Sequence, residues 1–365
     1  MTAAASPPLT PAYARAAGDP RTTRTLHVPR FALECGAVLT DVVQAYHLDG
    51  TLDPAADNLV LVLHALTGSA DAAGDWWRGL IGPGLALDTD RYAVLAPNLL
   101  GSCYGTTGPS AGGHADASAA DAFPLVTPRD MARLIGLLVD AVGARSIALV
   151  TGGSLGGMVA LEWALLHPGR ARATVVFAAP AAHTALGIGW NHVQREALRL
   201  GAEGLGLARM IAMLSFRTEA EFDARFGRAR APSGAFDVQR YLTRHGEKLS
   251  ARFDAATYRT LLDAMDAHDV GRARGGVPAA LGALTGRVTA VGIPGDLLYG
   301  AEVVRAWATL AGAEYRELRS VHGHDAFLLE RAQVGRLLAE ALRGGEVHDT
   351  GLTPATRAAE AACLT

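Results

Sequence analysis

The sequence predicts an α/β fold, a mostly parallel, doubly wound sheet with an inserted helical lid. Three observations predict it. Short apolar runs alternate with helix-patterned segments along most of the chain. One stretch, residues 183–284, holds only helix-like patterns. One apolar run passes into a helical run through a turn of glycines around a single serine, Gly152-Gly153-Ser154-Leu155-Gly156.

Taken in order, the runs at 30–34 and 41–46 have the alternating or β-branched character of an antiparallel sheet edge. The runs at 58–64 and 92–97 are continuously apolar, as strands buried on both faces are. Further strands are expected at 146–150, 173–179, 287–293 and 314–319, with helices at 129–142, 159–166 and 301–310. Within the lid, helical patterns fall at 191–200, 205–216 and 256–267. The expected organisation is a leader at 1–25, a core at 26–182 and 285–345, the lid at 183–284 and a loose tail at 346–365. Residues 111–121, rich in Ala, Gly and Asp, form one low-complexity loop.

Half the residues are apolar and 19% are charged, so a chain of 365 residues has ample material for a large core. A formal charge of −3 offers no basic field, which argues against nucleic acid as a partner. No apolar stretch reaches the length of a membrane span, and the N-terminus lacks the apolar core of a signal peptide. The three cysteines, Cys35, Cys103 and Cys363, show no paired spacing, which suits reduced thiols in the cytoplasm. The histidines are scattered, with no metal-ligand spacing, and no GxGxxG opens the first βαβ unit.

A strand, a Gly-x-Ser-x-Gly turn and a helix make the nucleophile elbow of an α/β-hydrolase fold. The glycines admit close helix–strand approach, and the helix start turns free N–H groups towards the serine. A serine hydroxyl needs a base to take its proton and a third group to orient that base. In this fold the chain order is serine, acid, histidine, each just past a strand. Ser154, Asp296 and His324 fit that order. For Asp296 the competing reading is a helix N-cap before 297–307. For the base the competitors are His322, two residues earlier, and His183 and His192 in the lid. The oxyanion N–H groups should come from Leu155, after the nucleophile, and from Leu66 in the loop at 63–68. His64 reads as a structural hydrogen-bonder.

Four segments in order, His64-Ala65-Leu66-Thr67-Gly68, Asn98 to Pro109, Gly152 to Met158 and Gly323-His324-Asp325-Ala326-Phe327-Leu328, resemble the homoserine O-acetyltransferase family. The likeness runs from about Arg30 to Leu342 and includes Phe253-Asp254-Ala255 and Asp269-Val270-Gly271-Arg272. It implies an α/β-hydrolase core, a helical lid, a homodimer built through the lids, and acyl transfer from acyl-CoA to homoserine on the way to methionine. Some members use succinyl-CoA and some act on serine. The resemblance also implies that Arg209 grips the substrate carboxylate and Asp325 its amine. Arg209 is the sole charge in an apolar helix, and a buried guanidinium calls for an anion unless it reaches solvent or a structural carboxylate. Phe216 lies two turns on, about 20° round the helix, so it shares a face with Arg209. The family usually carries a tyrosine there. Asp325 has a plainer alternative, a loop residue fixing its own turn. Gly101-Ser102-Cys103, Gly295 and Gly300 also depart from the family pattern.

The expected chemistry is a ping-pong transfer through an acyl-serine, with no bound cofactor, no metal and acyl-CoA, acetyl-CoA by preference, as co-substrate. Homoserine or serine O-succinyl transfer is the first alternative. An esterase or thioesterase would use the same triad, and a catalytically idle fold used for binding is a different class.

Overall fold

Four strands in which every residue is buried form the centre of the computed structural model, which describes residues 23–110 and 123–344. The chain opens with β1 (Arg24–Ala32) and β2 (Val38–Asp49), then β3 (Leu59–Leu63), the short β4 (Ile81–Gly82) and β5 (Leu87–Asp88), and β6 (Ala93–Pro97). Next come α1 (Pro128–Ala141), β7 (Ile147–Gly153), α2 (Leu155–Leu166) and β8 (Ala173–Phe177). Six helices follow without a strand: α3 (Ala185–Leu198), α4 (Gly204–Phe216), α5 (Glu219–Phe226), α6 (Asp237–Ser250), α7 (Ala255–Asp266) and α8 (Val277–Gly282). The chain then returns through β9 (Arg287–Gly292), α9 (Ala301–Ala311), β10 (Glu314–Glu317), α10 (Ala326–Leu329) and α11 (Arg331–Arg343).

The main sheet has eight strands in the order β1-β2-β6-β3-β7-β8-β9-β10. β1 and β2 are antiparallel, and β2 meets β6 antiparallel; from β6 to β10 all pairings are parallel. The fully buried strands are the apolar runs of the sequence, since only a strand covered on both faces needs no polar side. β1 begins at Arg24, so Arg24 and Thr25 belong to the sheet rather than to a leader. Residues 1–22 of the expected leader, all of the 111–121 loop and the 346–365 tail with Cys363 lie outside the described residues. Among the described residues no helix is long and apolar enough to cross a membrane, and no group of side chains could hold a metal ion.

The six helices between β8 and β9 stand where the chain leaves the carboxyl ends of the parallel strands, the end at which such sheets place their sites. A buried ionic network ties their return to the core. Arg129 of α1 meets Glu162 of α2 at 3.0 Å and Glu34, past β1, at 2.8 Å. Its guanidinium also donates to the carbonyls of Asp269 and Arg272. Arg274 meets Glu162 at 2.8 Å and Arg272 meets Glu34 at 2.8 Å. Glu162 is the one charge in an otherwise apolar α2, and it is 1% exposed. Removing one member of such a network leaves a buried charge short of a partner. Arg129→Met is therefore expected to destabilise the fold by about 3 kcal/mol, read from urea denaturation midpoints. An unchanged midpoint would show that Arg274 alone suffices for Glu162.

Candidate active site

β7 ends at Gly153 and α2 begins at Leu155, which leaves Ser154 at φ 56° and ψ −125°. A non-glycine residue held there costs on the order of 1–3 kcal/mol. The turn is held by close backbone packing. A Cβ on Gly152 would come within 2.5 Å of the Gly156 carbonyl oxygen, and one on Gly156 would overlap the Leu63 carbonyl oxygen. Ser154 N–H donates to Phe177 O at 3.0 Å. The Ser154 hydroxyl does not cap α2, although Ser154 stands at its N-cap position.

Asp296 follows β9, and His324 lies in a single 3₁₀ turn, Gly323–Asp325, past β10. His324 Nδ1 is 2.7 Å from Asp296 Oδ2. The other carboxylate oxygen accepts the N–H groups of Leu298 at 2.8 Å and Tyr299 at 3.0 Å. Asp296 thus caps its own turn; α9 starts only at Ala301, with Gly300 as its N-cap, so the N-cap reading of Asp296 does not hold. The rings of Phe216, Tyr299 and Phe327 surround the imidazole at centroid distances of 5.4–5.8 Å. Burial pulls the His324 pKa down, but the charge and hydrogen bond of Asp296 and the charge of Asp325 outweigh it, so it lies above the ordinary 6.5. His324 Nε2 is buried without a hydrogen-bond partner among the described residues. Its segment seats on the elbow through Phe327, whose ring would meet a Cβ on Gly153 at 2.5 Å.

Leu66 lies in the loop after β3 and Leu155 is the first residue of α2; among the described residues neither N–H is engaged by a backbone partner. His64 braces that loop. Its Nε2 accepts Leu99 N–H at 2.9 Å, which leaves Nδ1–H to donate to Ala65 O at 2.8 Å. Burial lowers its pKa to about 4, so it stays neutral, in keeping with a structural role. Sequence reasoning missed Arg252, which reaches from the segment after α6 to donate to Thr67 O at 2.9 Å and to Tyr104 Oη. Cys103, in the neighbouring loop, has its thiol pushed up to about 12, chiefly by burial, and is no nucleophile.

Arg209 is half-buried in α4, and its guanidinium stands 5.4 Å over the Phe216 ring, which itself lies 5.5 Å from the His324 ring. Among the described residues it makes no ion pair and no hydrogen bond. Asp325 does more than fix a turn: its Oδ2 lies 3.0 Å from Nη2 of Arg217. Arg217 had no signal of its own in the sequence, because an ion pair across the chain leaves no periodicity. The competing histidines are accounted for elsewhere. His322 Nδ1 lies 3.2 Å from Glu221, His192 is exposed, and His183 sits between Tyr299 Oη at 2.9 Å and Asp266 at 3.0 Å.

Comparison with known proteins bears on the same region. A family model described as alpha/beta hydrolase fold matches residues 58–261. A homoserine O-acetyltransferase of Thermus thermophilus is 45% identical over 339 residues, covering 84% of this chain and 88% of that one. That of Clavibacter michiganensis is 41% identical over 364 residues, covering 89% and 94%. Among solved structures, homoserine O-acetyltransferase from Staphylococcus aureus superposes with a TM-score of 0.77 at 30% identity, over 88% of this chain and 95% of that one.

The geometry around the imidazole generates a titration test. NMR of the His324 ring is expected to give a pKa above 6.5 in the parent protein and below it in Asp296→Asn, where burial dominates once the opposing charge is gone. Equal values in the two proteins would mean that Asp296 does not set the protonation of His324.

Proposed function

The chain belongs to the homoserine O-acetyltransferase family of α/β-hydrolase-fold enzymes, and from that premise we propose that it transfers an acetyl group from acetyl-CoA to the hydroxyl of L-homoserine, a step towards methionine. His324, oriented by Asp296, takes the proton of Ser154 Oγ as the oxygen attacks the thioester carbonyl. The N–H groups of Leu66 and Leu155 hold the oxyanion, each worth on the order of 3 kcal/mol. The tetrahedral adduct collapses, the C–S bond breaks, and His324 delivers its proton to the departing CoA thiolate. Homoserine then loses its hydroxyl proton to His324, attacks the acyl-serine, and leaves as the O-acetyl ester while Ser154 regains a proton.

The observation that carries this reading is the stack of Arg209 on Phe216 on His324. An esterase needs the base but has no use for an uncompensated guanidinium beside it. An amino-acid acceptor brings a carboxylate for Arg209 and an ammonium group for Asp325, which fixes its hydroxyl near the base. The aromatic rings round His324 keep that space apolar, which favours the acceptor over water. The reading includes a homodimer joined through the lids in the cytoplasm; the exposed Leu186, Val193 and Leu200 on and beside α3 support such a contact.

Thiol release from acetyl-CoA, followed with a thiol reagent, tests the proposal. Strong steady release that requires L-homoserine is expected, and Ser154→Ala should lower it by about 10³-fold or more. Equal release without homoserine would replace the transferase by a thioesterase. Release with succinyl-CoA but not acetyl-CoA would change the donor, and release with serine but not homoserine would change the acceptor. Because the base must be neutral to accept the first proton, acyl-enzyme formation should fall as pH drops through the His324 pKa, above 6.5. A rate still level at pH 6 would contradict that.

A further inference from the structure

We propose that Arg217 is a positioning residue for acceptor recognition: it holds one carboxylate oxygen of Asp325 and leaves the other for the ammonium group of the amino acid. The inference rests on the acyltransferase reading above and deepens it.

Arg217 is the first residue past α4 and is only 9% exposed. Its guanidinium spans two acids. Nη2 lies 3.0 Å from Asp325 Oδ2, and Nη1 lies 3.3 Å from each oxygen of Glu221. Asp325 Oδ1 receives no hydrogen bond among the described residues. Its closest contact with Asp325 is therefore at Oδ2. Because Glu221 draws on the same guanidinium, the charge of Asp325 is not fully cancelled and remains able to attract a cation. Glu221 has a further cationic partner in Arg225 at 3.7 Å, and His322 Nδ1 lies 3.2 Å from it.

Backbone packing fixes where this pair sits. Gly323 has φ 58°, and a Cβ there would lie 3.1 Å from Phe216 O and 3.2 Å from Thr218 N. A Cβ on Gly295 would meet the Thr218 methyl at 3.3 Å. The segment 216–218 thus touches the turns carrying both Asp296 and His324. Phe216 lies under Arg209, Arg217 holds Asp325, and the two are adjacent in sequence. One short stretch of lid sets the spacing between the site's free cation and its half-free anion. That spacing is what a zwitterionic acceptor has to match.

The test uses the full-length protein as parent, Arg217→Gln and Arg217→Lys, with two acceptors and two half-reactions. In Arg217→Gln the KM for L-homoserine should rise about 10-fold or more, while the burst of CoA that reports acyl-enzyme formation changes far less. Arg217→Lys, which keeps the charge but not the fork, should recover part of that loss. With 4-hydroxybutyrate, an acceptor of the same length without the amine, Arg217→Gln should cost nothing further. A penalty equal for both acceptors, or an equal loss in both half-reactions, would overturn the proposal in favour of a purely structural ion pair. So would an unchanged KM for homoserine. Absence of a CoA burst in the parent protein overturns the acyl-serine reading itself, and this inference with it. A parent burst with an unaltered homoserine KM in both variants overturns the inference alone.

Discussion

Ser154 can keep its backbone at φ 56° because three strand ends and one helix start close on it at backbone distance. Gly152 and Gly156 have no Cβ, so α2 lies against the end of β3, and Ser154 N–H is held by Phe177 at the end of β8. Relaxing this turn would move more than the serine. Phe327 rests on Gly153, so the His324 turn is registered against the same backbone. Leu155 N–H owes its direction to the first turn of α2. The proposed nucleophile, base and oxyanion donors therefore share one rigid reference, so the geometry proposed for catalysis inherits the stability of the central sheet rather than that of the loops.

Much of this could be read in the sequence, for physical reasons. Buried parallel strands must be continuously apolar, so β3, β6, β7 and β8 announced themselves as runs. A strained elbow must have glycines at fixed offsets from its serine, and chain order then pointed to Asp296 and His324. Other features had no local signature. α5 is short and rich in charge, and α6, although amphipathic over 14 residues, carries few apolar side chains and is largely exposed, so a search for apolar runs passes over both. The turn at Asp296 looked like a helix start because an aspartate that accepts two amides two and three residues on is locally the same device as an N-cap. Arg129, Arg217 and Arg252 act on groups far away in the chain, and such pairs become visible only when the fold is assembled.

Charge placement separates the candidate site from the interior of the core. In the core, Arg129 and Glu162 are each committed to partners, which fastens the returning segment at 269–274. The charges at the site, Arg209 from the helices between β8 and β9 and Asp325 from the turn past β10, are committed only in part. Among the described residues Arg209 has an aromatic face in place of an anion, and Asp325 Oδ1 receives no hydrogen bond. Burying a guanidinium in this way lowers its pKa and carries a desolvation cost that a structural role would not repay. An arriving carboxylate repays it. The incompleteness of the ionic contacts is then itself a specificity device, because a neutral ester would leave both charges unanswered.

The same reasoning bears on why the acyl group should reach an amino acid rather than water. Water is small enough to enter any space that admits a hydroxyl, so its exclusion cannot be steric alone. Three rings around His324 make the space beside the base a poor host for a lone water, which would find few partners there. Homoserine differs because its hydroxyl arrives attached to two charges whose partners stand outside that apolar ring. On the proposed reading, binding energy gained at Arg209 and Asp325 carries a polar group into an environment that rejects free water. Phe216 belongs to both parts of this arrangement, as wall for the imidazole and as floor for the guanidinium.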